Sequence, residues 1–165
     1  MKTLTTGLVL LTVAIFFLLS CSAERVAKSG DTVKVHYTGK LEDGSVFDSS
    51  RDREPFELTI GSGMTIPGFE NGIVGMAVGD TITITIPPEE AYGPRREDLV
   101  STISRDQIPP NITPEVGQQL QMQHPSGNII NVTITDVMPD SVTFDANHPL
   151  AGKTLIFEIE LMEIS

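Results

Sequence analysis

The residues able to do covalent or metal chemistry are few and poorly spaced for it. The histidines, His36, His124 and His148, are scattered and lack a ligand spacing such as His-x3-His, so they read as surface or structural residues and no metal site is expected. A single cysteine, Cys21, excludes an internal disulfide framework and any Cys-based zinc centre. There is no Gly-x-Ser-x-Gly elbow, Walker loop or dinucleotide fingerprint, and no cofactor is expected. What remains is a set of rings: Tyr37, Phe47, Phe56, Phe69, Tyr92 and Phe157, with Phe144 apart from them in a turn-rich segment. Such a set either fills a core or walls an apolar hollow that accepts one ring. The chemistry open to the hollow is non-covalent.

The elements that would hold these rings are legible as alternation. Residues 31–41 place Val33, Val35 and Tyr37 on one face of a half-buried strand. Glu42-Asp43-Gly44-Ser45 is a turn, Val46-Phe47 starts a second strand, and residues 56–60 form a third. A short helix is expected over 67–76, since Pro67 suits the first helical turn. Thr81-Ile-Thr-Ile-Thr-Ile86 alternates until Pro87-Pro88 stops it and reads as a buried central strand; exposed during folding, it would be an aggregation risk. Residues 153–164 alternate again through Leu155, Phe157, Ile159 and Leu161. Between these lies a segment cut by Pro109-Pro110, Pro114, Gly117, Pro125-Ser-Gly and Pro139-Asp. Its short apolar runs, at 100–103, 119–123, 129–135 and 142–144, read as strands of a small separate lobe that buries little apolar area alone.

The chain carries 22 Asp+Glu against 11 Lys+Arg, a formal charge of −11, which argues against nucleic acid as the partner. The N-terminus reads as an address. Met1-Lys2 is followed by residues 8–19, apolar but for Thr12, too short to span a bilayer comfortably and suited to the core of a secretory signal. That run ends at Leu18-Leu19-Ser20-Cys21, which resembles a bacterial lipobox. The resemblance implies a signal peptide over 1–20, cleavage before Cys21 and lipidation of that residue, with 21–29 as a short tether to a membrane. The alternative is an ordinary signal peptide cut near Ser22-Ala23, with Cys21 discarded. Acyl chains add ~0.8 kcal/mol of membrane binding per buried CH2.

Several blocks in order resemble the FK506-binding class of peptidyl-prolyl isomerases. They are Val35-His-Tyr-Thr-Gly-Lys-Leu-Glu-Asp-Gly-Ser-Val-Phe-Asp-Ser-Ser50, continued by Arg51-Asp-Arg-Glu-Pro-Phe56; Ile66-Pro-Gly-Phe-Glu-Asn-Gly72; Pro87-Pro-Glu-Glu-Ala-Tyr-Gly93; and Asn147-His-Pro-Leu-Ala-Gly-Lys-Thr-Leu-Ile-Phe-Glu-Ile159. The likeness covers nearly all of the chain after residue 30. The long stretch between Gly93 and His148 resembles that of the SlyD-type members, which carry an insert-in-flap chaperone domain there. The chain ends without the metal-binding tail common in those relatives, so metal binding is not carried over. The implied fold is α+β: a bent antiparallel sheet around one short helix over 30–99 and 147–165, with a small β-rich insert over 100–146.

The resemblance also implies the reaction and its residues. An amide resists rotation by ~18–20 kcal/mol, and an Xaa–Pro bond turns over in roughly tens to hundreds of seconds unaided. The planar ground state is more dipolar than the twisted transition state, so a dry cavity favours the latter without nucleophile, metal or cofactor. Phe69 would be the floor, where many relatives have Trp, and Tyr37, Phe47, Phe56 and Phe157 the walls. Ile66 would offer its backbone N–H to a substrate carbonyl, with Thr65 at the rim, and Tyr92 would offer its hydroxyl. Asp48 would polarise the site, or is a turn residue bonding its own backbone. Arg53 would hold Asp48 and stack on Tyr37, or is a solvated surface residue.

Two function classes follow. One is an isomerase that speeds folding of exported proteins, anchored on the extracytoplasmic side of a membrane (outer membrane or periplasmic face of the inner one). The other is a non-enzymatic chaperone or binding lipoprotein with a vestigial proline pocket. An exposed apolar face on the insert, from Val100, Ile103, Ile108, Leu120, Met122 and Ile130, would bind unfolded proteins. Expected partners are proline-containing peptides, unfolded or exported proteins, FK506-like macrolides, and a membrane through the lipid on Cys21.

Overall fold

The computed structural model describes residues 24–123 and 127–165; Cys21, the apolar run before it and His124 lie outside the described residues. The organising strand is β1 (Thr32–Leu41), the first long alternation in the sequence. β9 (Leu155–Ile164) pairs antiparallel along its whole length, from Val33 opposite Ile164 to Leu41 opposite Leu155. The other edge of β1 is shared. β3 (Phe56–Thr59) takes its first half, and β2 (Val46–Ser49) takes residues 38–40. β4 (Thr81–Ile86) closes the far side of β9, giving the order β2-β1-β9-β4 with β3 beside β1. The period of two puts Val33, Val35, Leu155, Ile159 and Leu161 into one buried layer.

β4 corrects one expectation. It is the outer strand of its sheet, not a central one, and only Ile82, Ile84 and Ile86 of its residues are covered. The Thr-Ile alternation gives it one dry face and one wet face, which suits an edge.

The single α-helix among the described residues, α1, spans Pro67–Ile73 and buries Phe69 and Ile73 in this core. It approaches β4 closely because Gly68 and Gly72 face it. A Cβ on Gly68 would lie 2.4 Å from Ile86 Cγ2, and one on Gly72 2.5 Å from Ile84 Cδ1. The helix stops three residues before the expected Met76. Val74 is extended and Gly75 takes φ 91, and their neighbourhood is recruited elsewhere: Gly75 N–H donates to Ala27 O at 2.8 Å, and Ala27 N–H to Met76 O at 2.8 Å. A tertiary backbone clasp outcompetes the last helical turn.

A second, four-stranded antiparallel sheet runs β5-β8-β7-β6, from β5 (Val100–Ser104), β6 (Gln119–Gln123), β7 (Ile129–Val137) and β8 (Ser141–Asp145). Its core is Val132, Ile134, Val142 and Phe144. The apolar residues expected to stand exposed do so only in part. Ile103, Ile108, Leu120, Met122 and Ile130 are half-buried, because they pack against that core. Val100 is half-buried outside the cluster, opposite Asp145. The antiparallel sheets with one short helix are the α+β class read from the sequence.

Candidate active site

The inner face of the first sheet turns its rings toward one place. Tyr37 comes from β1, Phe47 from β2, Phe56 from the start of β3, Phe69 from α1 and Phe157 from β9. Four of their contacts are edge to face, and Tyr37 on Phe157 is tilted at 59°. Tyr37 lies 5.6 Å from Phe69 at 83° and 6.0 Å from Phe56 at 80°; Phe157 lies 5.1 Å from Phe69 at 74° and 5.5 Å from Phe47 at 86°. T-shaped pairs are favoured by the ring quadrupole, so each ring holds its neighbour's angle. Between them is a hollow of about 170 Å³, which Asp48, Met64, Thr65, Ile66 and Tyr92 also line. Drug-sized ligand pockets run to roughly 300–1,000 Å³, so this one suits a single small ring. Of the residues expected at the site, all but Arg53 and Cys21 line this hollow; Arg53 stands behind Asp48, and Cys21 lies outside the described residues.

One side of the mouth is polar. Tyr37 donates its hydroxyl to Asp48 Oδ2 at 2.5 Å; Asp48 Oδ1 accepts the Ser49 N–H at 2.9 Å and Arg53 at 2.8 Å. Arg53 also donates to the Ser49 carbonyl, and among the described residues it makes no stack on Tyr37: the guanidinium is drawn to the carboxylate and carbonyl instead. The Tyr37 hydroxyl holds Asp48 below the usual carboxylate range despite partial burial, helped by the Ser49 N–H and Arg53. Burial, then Asp48, pushes Tyr37 up to about 12. The pair is a phenol and a carboxylate at neutral pH, and the phenol is already engaged.

Two donors are not engaged. Ile66 precedes α1 with extended backbone, and its carbonyl accepts from Phe69 and Glu70, but its own N–H meets no acceptor among the described residues. The Tyr92 hydroxyl likewise has no partner among them. Tyr92 is 42 % exposed, and its ring stacks on His148 at 3.8 Å and 5°. His148 Nδ1 accepts the Leu150 N–H at 3.2 Å, which places any neutral-ring proton on Nε2, and burial lowers its pKa.

His148 is an exposed surface residue, as the sequence suggests; what only the folded chain shows is its stack on Tyr92. Sequence reasoning misses Met64 at the rim and Gly39 in β1. A Cβ at Gly39 would sit 2.6 Å from Phe47 Cζ and 2.9 Å from Phe157 Cε1, so only glycine lets both rings lie on the strand. Among the described residues no three His, Cys, Asp or Glu side chains converge as metal ligands would, and no helix is long and apolar enough to cross a membrane. The arrangement offers an apolar cradle with two donors at its lip that have no partner among the described residues.

Comparison with known proteins gives this geometry its setting. Over 132 residues, 80% of this chain and 74% of the relative, the sequence is 41% identical to the FKBP-type peptidyl-prolyl cis-trans isomerase SlyD of Treponema pallidum. It is 35% identical over 138 residues to the FKBP-type 16 kDa isomerase of Escherichia coli, covering 83% of this chain and 93% of that protein. It is 37% identical over 152 residues to the short-type isomerase of Methanocaldococcus jannaschii, again covering 83% and 93%. The match to the family itself runs from residue 23 to residue 162, through both sheets and every ring of the cradle, and the chain therefore belongs to the FKBP-type peptidyl-prolyl cis-trans isomerases.

Proposed function

We propose that this isomerase works on exported proteins from a lipid anchor at Cys21, on the extracytoplasmic side of a membrane, and that its second sheet holds unfolded segments near the catalytic hollow. The observation that carries the catalytic part is the 170 Å³ hollow walled by edge-to-face rings, with the Ile66 N–H and Tyr92 hydroxyl unpaired at its lip.

In this reading the proline ring enters between Tyr37, Phe56, Phe69 and Phe157. The Ile66 N–H and the Tyr92 hydroxyl each take a substrate carbonyl and hold the chain while the Xaa–Pro bond rotates. The apolar wall excludes water, so the twisted and less dipolar form is favoured over the planar one relative to solution. Asp48 and Arg53 act indirectly: they occupy the Tyr37 hydroxyl and keep it from competing for the substrate. Phe69 leaves a floor smaller than Trp, which supports a weaker or altered fit for FK506-like macrolides.

The Leu18-Leu19-Ser20-Cys21 sequence supports lipidation, and the half-buried apolar row of Ile103, Leu120, Met122 and Ile130 supports capture of unfolded chain. The test is a protease-coupled proline-peptide assay on the 22–165 protein and on a version with residues 100–146 replaced by a short loop. Both should turn over the peptide, and only the first should speed refolding of a proline-limited protein. Absence of turnover in the 22–165 protein would sink the catalytic reading. For the anchor, the full chain expressed in a bacterium should acquire acyl mass and partition with membranes, and Cys21→Ser should abolish both.

A further inference from the structure

The rim that carries Thr65 and Ile66 has no strand or helix of its own. It runs from Gly61 to Ile66 between β3 and α1, with Gly61 at φ 87 and Gly63 at φ 71. Within it Ser62 N–H donates to Thr59 O at 3.1 Å and Met64 N–H to Ser62 Oγ at 3.3 Å, and one carboxylate ties both of its ends to the helix. Glu70 on α1 is 6% exposed. Its Oε2 accepts the Gly61 N–H at 2.7 Å, and its Oε1 accepts the Thr65 N–H at 3.2 Å and the Thr65 hydroxyl at 3.4 Å. Among the described residues no cation pairs with it, so backbone N–H groups and the Thr65 hydroxyl replace the water it has lost. Burial pushes its pKa up, but the backbone N–H groups of Thr65, Gly61 and Gly63 outweigh that and hold it below the usual carboxylate range. It is an ion throughout the neutral range.

The placement matters because of what it brackets. The peptide unit between Thr65 and Ile66 carries the unpaired N–H at the lip. In front of it the Thr65 N–H is pinned by Glu70. Behind it the Ile66 carbonyl is pinned by Phe69 N–H at 3.0 Å and by the Glu70 N–H at 3.3 Å. We propose that Glu70 is a positioning residue for substrate binding: its carboxylate fixes the 61–66 rim so that the Ile66 N–H is aimed into the hollow before substrate arrives. Glu70 lies outside the hollow and acts only through this rim. The inference rests on the role given to Ile66 above.

The test is Glu70→Gln in the 22–165 protein, read by KM and kcat on a proline peptide and by amide hydrogen exchange. Glutamine has one acceptor oxygen and an NH2 group that cannot face a second N–H, so either Gly61 or Thr65 loses its partner. KM should rise about two- to tenfold, up to the worth of the one neutral hydrogen bond that the Ile66 N–H gives the substrate, with kcat within about twofold. Exchange should quicken at Gly61 or Thr65. Ile60→Val, a buried neighbour outside the hollow, is the control for general loosening: for a similar fall in Tm it should leave KM unchanged. Glu70→Asp keeps the charge and loses reach, and should raise KM in the same direction; it carries the test if Glu70→Gln does not fold. Unchanged KM in these variants, a fall in kcat alone, or an equal rise of KM in Ile60→Val would overturn the proposal. If wild type shows no turnover, the role of Ile66 falls and this inference with it; if wild type is active and KM is unmoved by the Glu70 variants, only this inference falls.

Discussion

The two sheets each enclose an apolar hollow of nearly the same size. The one among the rings measures about 170 Å³, and one on the second sheet, lined by Ile108, Leu120, Met122 and Phe144 among others, about 180 Å³. Volume does not separate them; stiffness of the wall does. In the first, rings from four strands and a helix fix one another at angles of 59° to 86°, and behind them lies a continuous buried core from Val33 to Leu161. In the second, aliphatic and methionine side chains sit on a core of only four buried residues among those described. Such a wall repacks at little cost, since methionine has three soft torsions and a polarizable sulfur. A stiff cradle discriminates one ring shape and one bond; a soft one accommodates many side chains weakly.

The sharpest way to break that comparison is to remove one phenyl ring from each sheet. Phe157 touches Tyr37, Phe47 and Phe69, and Phe144 is 5% exposed in the core of the other sheet. A buried Phe→Ala change costs about 3–5 kcal/mol. Phe157→Ala also removes a wall of the hollow proposed to hold the proline ring, and peptide kcat/KM should drop on the order of 100-fold, about 2.7 kcal/mol of transition-state stabilisation. In Phe144→Ala the loss falls on a sheet with little stability to lose. That sheet should melt early in a thermal scan while peptide kcat/KM stays within about twofold. Equal loss of turnover in the two variants would show that the sheets are one cooperative unit and that the contrast between them has no functional meaning.

A smaller change tests the stiffness itself. Gly39→Ala adds a carbon that would stand 2.6 Å from Phe47 and 2.9 Å from Phe157. Overpacking of this kind costs about 1–3 kcal/mol. It deletes no lining group and only displaces two rings, so kcat/KM should fall about tenfold with the fold retained by circular dichroism. A fully active Gly39→Ala would mean that the ring angles do not matter and that any greasy hollow suffices.

How much of this was legible in the sequence depends on the range of the forces involved. The alternations that became β1, β4 and β9 are local and could be read directly. Their order could not: Thr-Ile alternation looks the same in an edge strand as in a central one, and β4 proved to be the edge. The helix end was missed because Gly75 and Met76 are claimed by Ala27, nearly fifty positions away, which no local propensity reports. The rings of the site came from motif blocks, where identity and order suffice. Gly39, Glu70 and His148 lie in or beside those same blocks, yet their roles are matters of distance: a missing Cβ under two rings, a carboxylate across a loop, an imidazole stacked on Tyr92. Residue type does not encode these until the chain has folded.

The finest effects expected concern the polar side of the lip. Tyr92→Phe removes one hydroxyl and keeps the stack on His148; a single neutral hydrogen bond is worth ~0.5–1.5 kcal/mol, so kcat/KM should fall only about two- to tenfold. The same variant leaves Tyr37 as the only tyrosine and so makes its proton visible. Asp48 lies below its unfolded value of ~3.9, so its contribution to stability is complete above that pH and is lost as pH falls through the folded value. Tyr37 is raised to about 12 against ~10 unfolded, so its contribution is complete below ~10 and is lost as pH rises through about 12. The Tyr37–Asp48 pair is thus unchanged across the whole neutral range, and it should add no slope to the rate there. In the Tyr92→Phe protein the tyrosinate absorbance should appear near 12, and adding Asp48→Ala should bring it down, since one of the two causes is gone. A tyrosinate titrating near 10 with Asp48 intact would mean that the Tyr37 hydroxyl is not held by the carboxylate and is free to compete with Tyr92 for the substrate.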